Sequence, residues 1–193
     1  MSEPAPLFPV FLKLAGREVL VVGGGPVAAS RLAALVEAGA RVTVVAPEIR
    51  PECERPGVCL VRRGFAPGDL DGAWLVVAAA PPEVNRQVAE AAEQRRVFVN
   101  AVDDAQRASA YTGGVFRRGG VTLAVSTEGR APALAGLLRE GLEAVIPEEI
   151  ETWVAEAGAL KQQQRAGGVE MARRRPLLLE ALNRLYAARG VVA

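Results

Sequence analysis

Three small residues and one aspartate are the positions where this sequence could do chemistry. Gly23-x-Gly25-x-x-Ala28 has the spacing of a phosphate-binding turn. The first glycine makes a tight turn, the second lets backbone approach a pyrophosphate, and the small third residue lets a helix pack closely on its strand. Asp103 follows Asn100-Ala101-Val102 directly, at the end of an apolar run. A carboxylate at that edge of a sheet is a natural proton acceptor beside a bound ligand, and Asp103 lies nearer the edge than Asp104. Glu48 stands past the second apolar run, near where a carboxylate would meet the ribose hydroxyls of a dinucleotide, and it favours NAD over NADP. Ser126, Thr127 and Arg130 fall in a hydroxyl-rich stretch ahead of Pro132, suited to an anionic substrate group.

Other chemistry is excluded by composition. The 193 residues contain no histidine, which removes Ser-His-Asp and Cys-His nucleophile systems and imidazole-bound metal. Lysine occurs only at Lys13 and Lys161, and the two cysteines, Cys53 and Cys59, have no partner pattern, so no resident metal is expected. A net charge of +1 gives no footing for nucleic acid. No stretch reaches the roughly 18 apolar residues of a membrane span, and Met1-Ser2-Glu3-Pro4 lacks an export signal, so a cytoplasmic protein is expected.

The elements that must hold these residues alternate. Apolar runs at 17–22, 41–46, 58–61, 74–79 and 97–102 read as buried strands, and 26–36 and 83–95 as helices. Strand, glycine turn, helix and strand make a βαβ unit, and its continuation predicts a doubly wound, Rossmann-like parallel sheet over residues 1–112. From 113 to 147 the pattern becomes two strands about Gly119-Gly120, then a helix with Leu134, Leu137, Leu138, Leu142 and Val145 on one stripe. Residues 148–193 read as helical and basic, with Arg173-Arg174-Arg175.

Several motifs in order carry a family likeness. They are Leu7-Phe8-Pro9-Val10-Phe11-Leu12-x-Leu14, Val19-Leu20-Val21-Val22-Gly23-Gly24-Gly25-x-Val27-Ala28, Glu37-Ala38-Gly39-Ala40-x-Val42-Thr43-Val44 and Asn100-x-Val102-Asp103. Over about residues 7–146 the chain resembles the precorrin-2 dehydrogenase family, which includes the N-terminal module of bifunctional siroheme synthases. The resemblance implies NAD-dependent oxidation of precorrin-2 to sirohydrochlorin, followed in some members by insertion of ferrous iron as a substrate. It puts Pro26 and Val27 at the cofactor after the glycines, Pro47 and Glu48 at a second cofactor contact, Asp103 in the catalytic role and Thr127 in the tetrapyrrole pocket. It also implies a homodimer joined through about 113–147, with the last helices covering the site. The chain departs from the family at Ser30-Arg31, at Ala110-Tyr111-Thr112-Gly113-Gly114 and at Ala131. With no methyltransferase module following, no methylation is expected of it. A rival expectation from another class is a module that senses NAD(H) or a tetrapyrrole without turnover.

Overall fold

The computed structural model describes residues 6–102, 104 and 106–187, the last three without their side chains. The chain divides between Thr112 and Gly113 into two compact units.

The first unit is a parallel sheet with helices on both faces. Its elements are β1 (Glu18–Val22), α1 (Pro26–Glu37), β2 (Arg41–Val45), β3 (Val58–Val61), β4 (Leu75–Ala78), α2 (Pro82–Arg95) and β5 (Phe98–Ala101). The strand order is β3-β2-β1-β4-β5, so the order reverses between β1 and β4, the switch point of a Rossmann-like sheet. β1 lies at the centre and reads as an unbroken apolar run because both its faces are covered. Val19 and Val21 join Ala28, Leu32 and Leu35 of α1 in one core, while Leu20 and Val22 join Val88, Ala89 and Ala92 of α2 in the other.

The alternation is thinner than a full strand–helix repeat. β2 reaches β3 through a short 3-10 helix, Pro51–Cys53, and β3 reaches β4 through another, Pro67–Leu70. Neither segment has the apolar periodicity of an α-helix. The second is stapled by Asp69, whose carboxylate accepts from the Ala66 amide at 2.9 Å and pairs with both ends of the Arg63 guanidinium. Those guanidinium bonds hold the Asp69 carboxyl below its usual range, so the staple stays charged in neutral solution.

The second unit begins with an antiparallel hairpin, β6 (Gly114–Arg118) and β7 (Val121–Val125), turning at Gly119 and Gly120 with φ of 54° and 81°. α3 (Pro132–Val145) packs on this hairpin so closely that a Cβ at Gly114 would lie 2.9 Å from the Ala135 carbonyl oxygen. α4 (Ile150–Ala166) and α5 (Met171–Ala187) follow, packed on each other. Among the described residues nothing covers the leucine stripe of α3: Leu137 is 65% exposed and Val145 72%. No helix among the described residues is long and apolar enough to cross a membrane.

Candidate dinucleotide site

The turn after β1 is built by backbone that leaves room for side chains at one glycine only. Gly23 has φ of +124°, and a Cβ there would sit 2.2 Å from the Ala79 carbonyl oxygen, beyond the end of β4. Gly24 is equally closed, because its Cβ would meet the Glu48 carbonyl oxygen at 2.2 Å and the Ile49 Cα at 2.7 Å. Gly25 differs. Its φ is −91° and none of the described residues comes within 4 Å of the position a Cβ would take. Two glycines are therefore explained by the protein's own packing, and the third faces open space.

Gly25 is also the N-cap of α1, and no side chain caps that end. Pro26 fills the first helical position, where a missing amide hydrogen costs nothing. The first intrahelical bond runs from the Ala29 amide to the Gly25 carbonyl at 3.0 Å, so the amides of Val27 and Ala28 before it have no intrahelical acceptor. Together with the helix dipole they make a seat for an anion. Ala28 itself is fully buried against the sheet, in the small-residue role its spacing predicts, and Val27 is 40% exposed beside the turn.

The loop after β2 is fastened to this turn. The Arg50 amide donates to the Gly24 carbonyl at 2.9 Å, and the Cys53 thiol donates to the same oxygen at 3.7 Å. Burial pushes the Cys53 thiol up, which keeps the proton that the bond requires. Arg62 holds the loop from outside, its Nη1 donating to the Ile49 carbonyl at 3.2 Å and its Nη2 pairing with Glu54. Pro47 and Glu48 are thereby exposed next to the turn, with Ile49 buried beneath them. Across the switch point, the side chain of buried Asn85 accepts from the Ala80 amide at 2.9 Å and fixes the segment after β4. The spacing motif treats Gly24 as any residue and is silent on Cys53 and Asn85. Their roles come from segments that return to the turn from far along the chain.

Asp103 lies outside the described residues. Asp104 is occupied: its carboxylate pairs with Arg107 Nη1 at 2.5 Å and accepts from the Arg107 amide at 3.3 Å. The hydrogen bond from Arg107 holds the Asp104 carboxyl below its usual range, which makes it a poor base.

In the second unit, Ser126, Thr127 and Arg130 share one tight turn in which Glu128 has φ of 56°. Ser126 Oγ accepts from the Glu128 amide at 3.1 Å, and Thr127 Oγ1 accepts from the Ala131 amide at 3.2 Å, ahead of α3. Both hydroxyls serve as acceptors here, so each retains its own proton to donate to an anion. Arg130 is exposed and pairs with Glu128 at 2.8 Å.

A phosphate-seating turn at the switch point of a 3-2-1-4-5 parallel sheet defines a dinucleotide-binding protein of the Rossmann-like class. The sequence profile of the family described as putative NAD(P)-binding matches residues 10–114, and that described as sirohaem biosynthesis protein central matches residues 118–144. The chain belongs to this NAD(P)-binding family. It is 42% identical over 172 residues to siroheme synthase 3 of Aeromonas hydrophila, covering 86% of this chain and 37% of that protein. It is 39% identical over 184 residues to the siroheme synthase of Photorhabdus laumondii, covering 93% of this chain and 39% of that one. Among solved structures it matches SirC, precorrin-2 dehydrogenase, with a TM-score of 0.70 and 27% identity over 90% of this chain and 88% of that one. The chain spans less than two-fifths of the length of these siroheme synthases. The family likeness read from its motifs stands.

Proposed function

We propose that this chain oxidises precorrin-2 to sirohydrochlorin with NAD as hydride acceptor, in siroheme biosynthesis. The observation that carries the reading is Gly25: an unfilled position on a helix N-terminus, directly after two glycines whose need is wholly internal. The structural likeness to a precorrin-2 dehydrogenase over nearly the full length of both chains supports it.

Bound NAD supplies the acceptor for the hydride, and this chain's residues do the rest. The backbone of Gly25, Val27 and Ala28 seats the diphosphate, with Pro26 and Val27 flanking it, and Pro47 and Glu48 flank the adenosine ribose. Asp103 takes the proton that leaves the reduced macrocycle as the hydride departs. Ser126, Thr127 and Arg130 are donors for the peripheral carboxylates of the tetrapyrrole. Ferrous iron, where inserted, is a second substrate, and the site of action is the cytoplasm. The direct test of the cofactor assignment is a fluorescence titration with NADH: saturable binding at one site per chain is expected, and no binding would overturn it.

Glu48 supplies a specificity test. Glu48→Gln is expected to shrink the preference for NADH over NADPH by about 10-fold, because a carboxylate beside a 2′-phosphate costs on the order of 1–2 kcal/mol near a surface. Parallel titrations with the two nucleotides check it, and an unchanged ratio would remove Glu48 from the ribose site.

A second copy of this chain is proposed to cover the leucine stripe of α3. An exposed apolar stripe on one helix face is what a homodimer buries. Leu137→Glu combined with Leu138→Glu is expected to give a folded monomer, checked by light scattering with circular dichroism. Dimers of unchanged stability in the double variant would overturn this placement.

A further inference from the structure

We propose that Arg31 is an anion-binding residue of the dehydrogenase site, held on the flank of α1 for an oxyanion of the bound reactants. That oxyanion is a diphosphate oxygen of the dinucleotide or a peripheral carboxylate of the macrocycle. The inference rests on the function proposed above and deepens it.

In the first unit, Arg41, Arg62, Arg63, Arg95 and Arg107 each pair with a carboxylate, and Arg17 stacks on the Trp74 ring. Arg31 has no such partner among the described residues. It is also not free in water: the residue is half-buried, and its Nε is buried with no acceptor. An unmatched donor on a charged group costs stability in that setting, so the fold gains nothing from this guanidinium.

The place of Arg31 on α1 shows where an acceptor would come from. Ala28, Ala29, Leu32 and Leu35 are the buried positions of the helix, and Arg31 lies about a quarter turn to one side of them. In a right-handed crossover from β1 to β2, that side of α1 is turned toward β4 and β5, away from β2. Each Cα–Cβ bond of a helix leans toward its N-terminus, so the Arg31 stem starts back toward Val27, whose amide belongs to the anion seat. Four residues of helix rise are about 6 Å, within the span of an arginine side chain. With the adenosine ribose assigned to Glu48 after β2, the nicotinamide end and the macrocycle beside it fall on the β4 side, where Arg31 stands.

A second unmatched atom lies on the same face. Val99 and Ala101 of β5 pack into the core beneath α2, so Asn100 between them turns to the α1 face. There its Nδ2 donates to the Ala110 carbonyl at 3.0 Å. The residue is only 7% exposed, and its Oδ1 is buried without a donor. Among the described residues, Arg31 Nε and Asn100 Oδ1 are the buried side-chain atoms left unpaired, and both belong to the β4–β5 side of the α1 face. The protein's own polar pairing is incomplete where the reactants' polar groups are expected. A guanidinium there offers an oxyanion two parallel N–H bonds.

The test compares Arg31→Met and Arg31→Lys with the wild type in the full chain, by NADH titration, by kcat and KM for precorrin-2 oxidation, and by thermal unfolding. Methionine keeps an apolar stem and removes both the charge and the orphan donor, so the unfolding midpoint should be unchanged or higher. Binding should nevertheless weaken by about 10- to 100-fold, the share of one charge-assisted pair, and lysine should recover part of it. A weaker NADH affinity would place the oxyanion on the diphosphate. A raised KM for precorrin-2 with NADH affinity unchanged would place it on the macrocycle. An Arg31→Met protein that matches the wild type in both constants would overturn the proposal. So would losses that follow a lowered unfolding midpoint and that lysine does not reverse. A wild type that binds no NADH, or leaves precorrin-2 unoxidised, would remove the reading beneath the proposal, a failure distinct from an active wild type indifferent to Arg31.

Discussion

Asp103→Asn is expected to fold, to bind NADH as the wild type does, and to lose oxidation of precorrin-2 by about 100- to 10,000-fold. That loss corresponds to roughly 3–5 kcal/mol of transition-state stabilisation. The reason is proton bookkeeping: a two-electron oxidation sends a hydride to the nicotinamide and leaves a proton behind. With no histidine in the sequence, a side-chain acceptor must be a carboxylate, a tyrosine, a lysine or a cysteine. The nearest rival carboxylate, Asp104, is engaged by Arg107 through two hydrogen bonds and held in its charged form. Asparagine keeps the size and polarity of the side chain and removes its basicity. Stopped assays of NADH formation, set beside NADH titrations of the same variant, read the two properties separately. Wild-type turnover would take Asp103 out of the mechanism.

The second large effect separates two adjacent glycines. Gly25→Ala is expected to cost no more than about 1 kcal/mol of stability, the scale of a lost helix-cap preference, since φ of −91° suits alanine and open space surrounds its Cβ. Its NADH affinity should nevertheless fall by about 10-fold or more, because the methyl group occupies the approach to the diphosphate. Gly24→Ala should show the reverse order of causes. Its Cβ lands 2.2 Å from the Glu48 carbonyl oxygen, so the loop after β2 must shift, at about 1–3 kcal/mol or more, and binding weakens as a consequence. Thermal unfolding and NADH titration of both variants check the contrast. A Gly25→Ala protein that binds NADH normally would mean the open position is not where the phosphates sit.

What could be read in the sequence follows from how local the cause is. β1, β2 and β4 are legible because central strands buried on both faces must be apolar throughout. The glycine turn is legible because its spacing is imposed by a turn, a phosphate and a helix packed in succession. The need for Gly24 is not legible, since it arises from Glu48 and Ile49 folding back against it. The same holds for Cys53, which reads as an unremarkable thiol and turns out to donate to the glycine turn, and for Ser109, which reads as a loop residue and closes the edge of β5. The segment between β2 and β3 is poor in apolar residues and has three prolines, so it forms a 3-10 turn where a helix would complete the pattern. The leucine stripe of α3 is plain in the sequence, yet nothing in a single chain's sequence says whether its own fold or a second copy covers it.

The central claim is that a dinucleotide seated at Gly25 serves a dehydrogenation. It is tested most directly by mixing the purified chain anaerobically with precorrin-2 and NAD and following the absorbance of both pigments. The account predicts that sirohydrochlorin and NADH appear together, one for one, at a rate proportional to the amount of protein. Tight binding of NADH with precorrin-2 left unoxidised would contradict it and point to a protein that senses the nucleotide without using it.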